Sequence, residues 1–307
     1  MPTAVASDTD RFLTFMRSQL DAGALARVGE EFGDLDSLRL GRLLQAFYWS
    51  VESGAHVPAP TVIPPFDKGA DATRLNASSS KYFIQGGLNH GLALCKVIAR
   101  LAGSQPLEVL DFGCGSGRLL WVLRQFAPGN RYSACDVNPH AVDMIRRCFP
   151  DVNATCMSPS PPTEFPPDGF DLVYGWSIFT HYSEPAHREW LAELMRIVRP
   201  GGLVMVTVKS EHRIQRFFEE EKFQMQLKLS KMTQEQAVAH YRSHGYLYLR
   251  AYTAAKASAV GIDADSFGNT MISPAYIQQH WGAFGDLVEV VPVAPEFQDL
   301  VVLRRRP

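Results

Sequence analysis

The stretch that most restricts the fold runs from Leu107 to Leu120, L-E-V-L-D-F-G-C-G-S-G-R-L-L. An apolar run reaches Asp111, glycines follow at 113, 115 and 117, and an apolar helical pattern begins at Leu119. This predicts strand, tight glycine turn and helix, the start of a βαβ unit. Glycine is required where backbone turns sharply or lies against a ligand with no Cβ between them. The helix after such a turn offers free N–H groups to an anionic ligand group. A dinucleotide fingerprint, G-x-G-x-x-G, would place its third glycine at 118, where the chain has Arg118.

From Leu107 onward strands and helices alternate, which predicts an α/β fold with right-handed crossovers onto a parallel sheet. Strands are expected at Tyr132 to Asp136, Ala154 to Met157, Phe170 to Tyr174 and Leu203 to Val208. Asn138 and Pro139 open one helix, and Ser183 and Pro185 another that ends at the turn Arg199-Pro200-Gly201-Gly202. The unbroken apolar run LVMVTV suits a strand covered on both faces. Residues 211–253 interrupt this rhythm and read as a helical insertion rich in aromatics and histidine. A helix from Pro274 to Phe284 and two strands, Leu287 to Val293 and Gln298 to Leu303, close the chain.

Upstream, residues 8–53 read as helices capped by Asp8 or Thr9 and by Asp36. The prolines 58, 60, 64 and 65 then force a connector, and residues 72–102 return to helix. Two regions follow: 1–103, a helical cap on the substrate side, and 104–307, the α/β domain carrying the insertion.

Composition narrows the function classes. With 46% apolar and 20% charged residues the chain is an ordinary globular sequence. A net charge of −2 gives no support for binding a polyanion, so no nucleic-acid partner is expected. Arg304 to Arg306 is the one basic run and reads as a solvated end. The five cysteines are scattered with no C-x-x-C pair, so no metal site is expected. They suit a reducing compartment, and with no apolar run of membrane-spanning length a soluble, cytoplasmic protein is expected.

The pattern D-x-G-x-G-x-G at Asp111 to Gly117 resembles motif I of the class I S-adenosylmethionine (SAM) dependent methyltransferases. Three further features agree in order: Asp136 ending the second strand, the strand and loop from Phe170 to His181, and R-P-G-G before an apolar strand. The closing segments, Gly268 to Ser273 and Phe297 to Leu303, resemble methyltransferases of the type 12 kind, many of which modify small molecules. The resemblance implies a Rossmann-like, doubly wound, seven-stranded sheet with its last strand antiparallel. It implies SAM as cofactor and S-adenosylhomocysteine (SAH) as product, in small-molecule biosynthesis.

It also suggests roles. Gly113, Cys114, Gly115 and Gly117 would form the cofactor loop, and Asp111 would orient it and meet the cofactor ammonium. A carboxylate there fits poorly beside a pyrophosphate, a second argument against a dinucleotide. Asp136 can accept both hydroxyls of the ribose, or cap the next helix together with Asn138. Val137 would pack on adenine. The third strand leads into Cys156-Met157-Ser158 with no acid before Glu164, so adenine contact falls to Met157 and Ser158. Trp176 and Phe179 supply aromatic faces for the sulfonium or substrate, or else pack in the core.

His181 is the candidate general base, with a helix-start structural role as its alternative. Tyr82, Tyr246 and Tyr252 are candidate substrate contacts. The helical segments can wall an acceptor site or form an interface within a homo-oligomer. The activity expected is methyl transfer to a small-molecule oxygen, hydroxyl or carboxylate. Transfer to nitrogen or carbon of a natural product, a non-catalytic SAM-fold scaffold and a nicotinamide-dependent reductase are the alternatives.

Overall fold

The structure, a computed structural model, describes residues 80–103, 105–127, 129–209, 221–253, 263, 265–294 and 298–307. The helices expected at 8–53 and the proline-rich connector lie outside these residues.

Strand β1 (Glu108–Phe112) is buried except at its first residue, and the chain turns through the glycine loop into helix α2 (Arg118–Phe126). Strand β2 (Arg131–Asp136) leads to helix α3 (Pro139–Cys148), whose cap Asn138 accepts the amide of His140. Then come β3 (Asn153–Cys156), β4 (Phe170–Gly175), α4 (Glu184–Ile197) and β5 (Val198–Val208). The last strands, β8 (Asp286–Ala294) and β9 (Gln298–Arg304), complete a seven-stranded sheet in the order β3-β2-β1-β4-β5-β9-β8. β1 to β5 pair in parallel, and β9 is antiparallel to both its neighbours. This is the sheet the resemblance implied.

Both faces are covered. On one, Val109, Leu172 and Met205 pack with α2, α3 and helix α1 (Ser80–Leu101). On the other, Leu110, Val173 and Val204 pack with Trp190, Leu191 and Leu194 of α4. A buried side chain of this size contributes roughly 1.5–3 kcal/mol, which is why the strand sequences read as continuous apolar runs. Helix α1 lies close on α2: a Cβ on Gly87 would come within 2.8 Å of the Arg118 carbonyl oxygen.

Three expectations are corrected. Arg199 to Gly202 is not a turn before the strand but a distorted stretch inside β5. Val198 pairs with Phe170, the register slips, and pairing resumes at Leu172 with Leu203, helped by Gly201 at φ 79°. The insertion is not wholly helical. Helices α5 (Glu221–Leu229) and α6 (Gln234–His244) are followed by strand β6 (Tyr246–Leu249), antiparallel to β7 (Asn269–Ile272). The alternation Y-L-Y-L is a strand signal, and Gly245 at φ 70° ends α6 just before it. Helix α7 (Pro274–His280) and a short 3₁₀ turn then return the chain to the main sheet. The terminal arginines are not merely a solvated end. Arg305 bonds Asp168 and the carbonyls of Arg196 and Val198, closing the C-terminus of α4, and Arg306 holds Asp286 at 2.8 Å.

Candidate functional site

Ligands of open parallel sheets bind beyond the carboxyl ends of the strands, where the strand order reverses. Here that point lies between β1 and β4, and the predicted cofactor residues lie at or just after the carboxyl ends of β1, β2, β3 and β4. The glycine loop is fixed from below: the amides of Gly113 and Cys114 bond the Cys135 carbonyl at 2.8 and 3.0 Å. All three glycines have positive φ (74°, 51° and 77°), so any side chain would be strained. A Cβ at Gly113 would strike Ile178, and one at Gly117 would come within 2.5 Å of Ile145. A Cβ at Gly115 would meet nothing within 4 Å, so the middle of the loop faces open space. Cys114 is buried, and burial pushes its thiol pKa well up, so it packs rather than reacts.

Asp136 holds the backbone on both sides of it, at the glycine loop and at the start of α3. Its Oδ2 accepts the Gly115 amide and its Oδ1 the Asn138 amide, each at 2.8 Å. Each carboxylate oxygen keeps a second lone pair, the valence a ribose diol needs. Burial raises its pKa, while the amides of Asn138, Gly115 and Val137 pull the other way. Met157 is half-buried, and its amide bonds the Asp136 carbonyl at 3.0 Å, which brings Asp136, Val137 and Met157 to one edge. Ser158 is exposed beside them.

Asp111 is 3% exposed, and its Oδ2 has no hydrogen-bond partner. Burial raises its pKa to about 7; the Tyr174 hydroxyl lowers it, Asp136 raises it and Arg118 lowers it. A buried carboxyl with a bare oxygen at a strand end is costly unless a donor arrives, and an ammonium supplies one. Across from it, Trp176 is 5% exposed and its indole N–H is also unpartnered. Its ring stacks on His90 at 4.8 Å, and His90 Nδ1 accepts from Arg118 at 2.8 Å. Burial and Arg118 hold His90 down to about 3, so it is neutral. The backbone cradle, the buried acid and the orphan donor together fit the amino-acid and ribose parts of SAM.

The sequence reading missed His90, which lies 28 residues before Arg118 on another helix. The residue that breaks the dinucleotide fingerprint is thus the anchor for α1. A second missed feature is Ser177, held at φ 60° with its amide on Thr207 Oγ1 at 2.7 Å and its hydroxyl accepting from Gln298 at 2.6 Å. Strained backbone of this kind concentrates at functional sites.

His181 lies on the loop between β4 and α4. Its Nδ1–H donates to the Gly268 carbonyl at 2.6 Å and its ring stacks on Phe267 at 4.8 Å. Burial and the nearby Lys209 hold its pKa down to about 3, against the pull of the Gly268 carbonyl. The imidazole is therefore neutral, with Nε2 as its lone-pair nitrogen.

The structure gives two candidate substrate residues packing roles instead. Phe179 is fully buried against Tyr182, His187 and Trp281. Tyr246 is 3% exposed and donates its hydroxyl to the Tyr182 carbonyl at 2.9 Å. Both complete the core under α4, where aromatic volume is needed. Tyr252 is half-exposed just beyond β6. The side chain of Tyr82 lies outside the described residues. Among the described residues no group of three His, Cys, Asp or Glu could hold a metal ion, and no helix is long and apolar enough to cross a membrane.

Comparison with known proteins agrees with this geometry. Residues 109–202 match the family model described as a methyltransferase domain. Malonyl-[acyl-carrier protein] O-methyltransferase of Hahella chejuensis is 27% identical over 138 residues, 44% of this chain and 48% of that protein. Ribosomal RNA small subunit methyltransferase C of Pseudomonas aeruginosa is 29% identical over 158 residues, 45% of this chain and 46% of that protein. The chain thus spans about half the length of the curated relatives it matches. Among solved structures, the PH0226 protein of Pyrococcus horikoshii shares the fold with a TM-score of 0.52 at 14% identity, covering 76% of this chain and 96% of that one. The sheet order and glycine cradle define a Rossmann-like fold. Residues 109–202 are thus similar to a methyltransferase domain, the class that the sequence motifs resemble.

Proposed function

We propose that the protein transfers the methyl group of SAM to an oxygen of a small molecule, with His181 as general base. The observation that supports this best is the state of His181. Its Nδ1–H is committed to Gly268, so the neutral ring keeps an Nε2 lone pair at the carboxyl end of β4. Bound SAM supplies an electrophilic methyl on a sulfonium. The chain's own contribution is placement and proton transfer. The glycine loop and Asp136 hold the nucleoside, Asp111 and Trp176 offer a carboxylate and an N–H to the amino-acid end, and His181 takes the acceptor proton. In this reading 1–103 is the helical cap over the site, and 104–307 the SAM-binding domain whose insertion walls the acceptor.

The net charge of −2 favours a small acceptor over a polyanion, although one relative is named for ribosomal RNA. In a screen of candidate acceptors with labelled SAM, His181→Ala is expected to lower turnover by about 100-fold or more with SAH affinity unchanged. A loss under about tenfold with intact binding removes the base role. Transfer to a nitrogen or carbon acceptor that is indifferent to His181 turns the reading to the other methyltransferase chemistries.

A further inference from the structure

The wall beside His181 has a definite polarity. Lys209 directly follows β5, and its ammonium donates to the Thr180 carbonyl at 3.1 Å and to Asn269 Oδ1. Asn269 Nδ2 in turn donates to Gln226 Oε1 at 2.8 Å. Asn269 and Gln226 are only 9% and 8% exposed. In this relay the side-chain oxygens are turned inward and consumed, so Gln226 keeps an NH₂ group to offer and Lys209 keeps a fixed position. His181 contributes the opposite valence, an Nε2 that can only accept. Its ring is held by the stack on Phe267. The close main chain at Gly268 brings the Gly268 carbonyl to Nδ1; a Cβ there would press on the Tyr248 ring at 2.9 Å.

Three oxygen and nitrogen acceptors meet this wall differently. An amine arrives as an ammonium at neutral pH and is repelled by Lys209, whose own ammonium is held in place by Thr180 and Asn269. A carboxylate brings no proton and would set its lone pairs against that of Nε2. An acidic hydroxyl satisfies both groups, because it gives a proton to Nε2 while its oxygen gains negative charge near the ammonium.

We propose that the acceptor is an acidic hydroxyl, a phenol or enol, seated between His181 Nε2 and the Lys209 ammonium, with Asn269 and Gln226 as positioning residues for that ammonium. This rests on the methyltransferase reading of the same site. The acceptor oxygen bonds the methyl carbon as the carbon–sulfur bond breaks. The hydroxyl proton passes to His181 Nε2, and the bonding pair stays on sulfur, leaving neutral SAH.

The test uses the full chain saturated with SAH and para-nitrophenol as probe, whose absorption separates phenol from phenolate. Below the probe's own pKa, binding is expected to raise the phenolate signal. Asn269→Leu and the milder Gln226→Leu are expected to weaken probe binding by about tenfold, and Lys209→Met to abolish the phenolate signal, all with SAH affinity kept. Benzoate and benzylamine are expected not to compete. Equal competition by either, or a bound probe whose spectrum does not change, overturns the proposal while leaving the methyltransferase reading in place. A probe that does not bind the SAH complex overturns it equally. Failure of the wild-type chain to bind SAH at all overturns the methyltransferase reading instead.

Discussion

The β1–β2 side and the β5 side of the sheet's carboxyl edge are built on different principles, and in the proposed reading the contrast separates what holds the cofactor from what chooses the acceptor. On the β1–β2 side the ligand surface is main chain. Three glycines at positive φ, amides on the Cys135 carbonyl and one carboxylate at Asp136 make a cradle whose shape depends on backbone conformation. On the β5 side the surface is a chain of side chains, His181, Lys209, Asn269 and Gln226, brought together from four separate segments. A backbone cradle tolerates few changes and serves a constant ligand. A side-chain wall can be rebuilt without disturbing the sheet, which suits a surface that sets specificity.

Substitutions can break this contrast. The largest effect is expected at Gly113→Val. A side chain there is strained at φ 74° and strikes Ile178. Stability should fall by about 3 kcal/mol in denaturant titration, and SAH affinity by about 100-fold. If the variant binds SAH normally, the cradle is not made by the backbone.

A smaller, pH-dependent effect is expected at Asp111. With its pKa raised to about 7, this carboxyl is neutral below that pH and anionic above it. An ammonium ligand binds the anion, so SAH affinity should climb as pH rises through about 7, with proton release on binding at lower pH. Calorimetry in buffers of different ionisation enthalpy reads that proton directly. Asp111→Asn should flatten the profile; an unchanged profile would place the ammonium elsewhere. The smallest effect is expected at Tyr246→Phe, which removes the hydroxyl that bonds the Tyr182 carbonyl and leaves the ring in place. About 1 kcal/mol of stability should be lost with the Michaelis constant for the acceptor unchanged. A shift in that constant would return Tyr246 to the acceptor wall.

The same contrast explains what the sequence revealed. Glycine spacing and an acid after β2 are local signals, because the backbone geometry that needs them lies within one βαβ unit. The strand–turn–helix unit that carries Asp111 and the strand ending at Asp136 could therefore be located directly, while the seven-stranded sheet was implied by the resemblance. The acceptor side is assembled from distant pairs. His181 finds Gly268 87 residues on, Lys209 finds Asn269 60 residues on, and Asn269 finds Gln226 43 residues back. No periodicity carries such information. Aromatic residues were visible but their direction was not, so Phe179 and Tyr246 read as substrate contacts when their rings fill the core. The position of Lys209, immediately after an apolar strand in a parallel sheet, was the one overlooked local clue.

The account stands most directly on what the β1–β2 cradle binds. Calorimetric titration of the full chain with SAH and, separately, with reduced nicotinamide dinucleotide tests it. The predicted result is saturable binding of SAH at one site, weakened about tenfold or more in Asp136→Ala, and no binding of the dinucleotide. Binding of the dinucleotide without SAH, or SAH binding indifferent to Asp136, would contradict it.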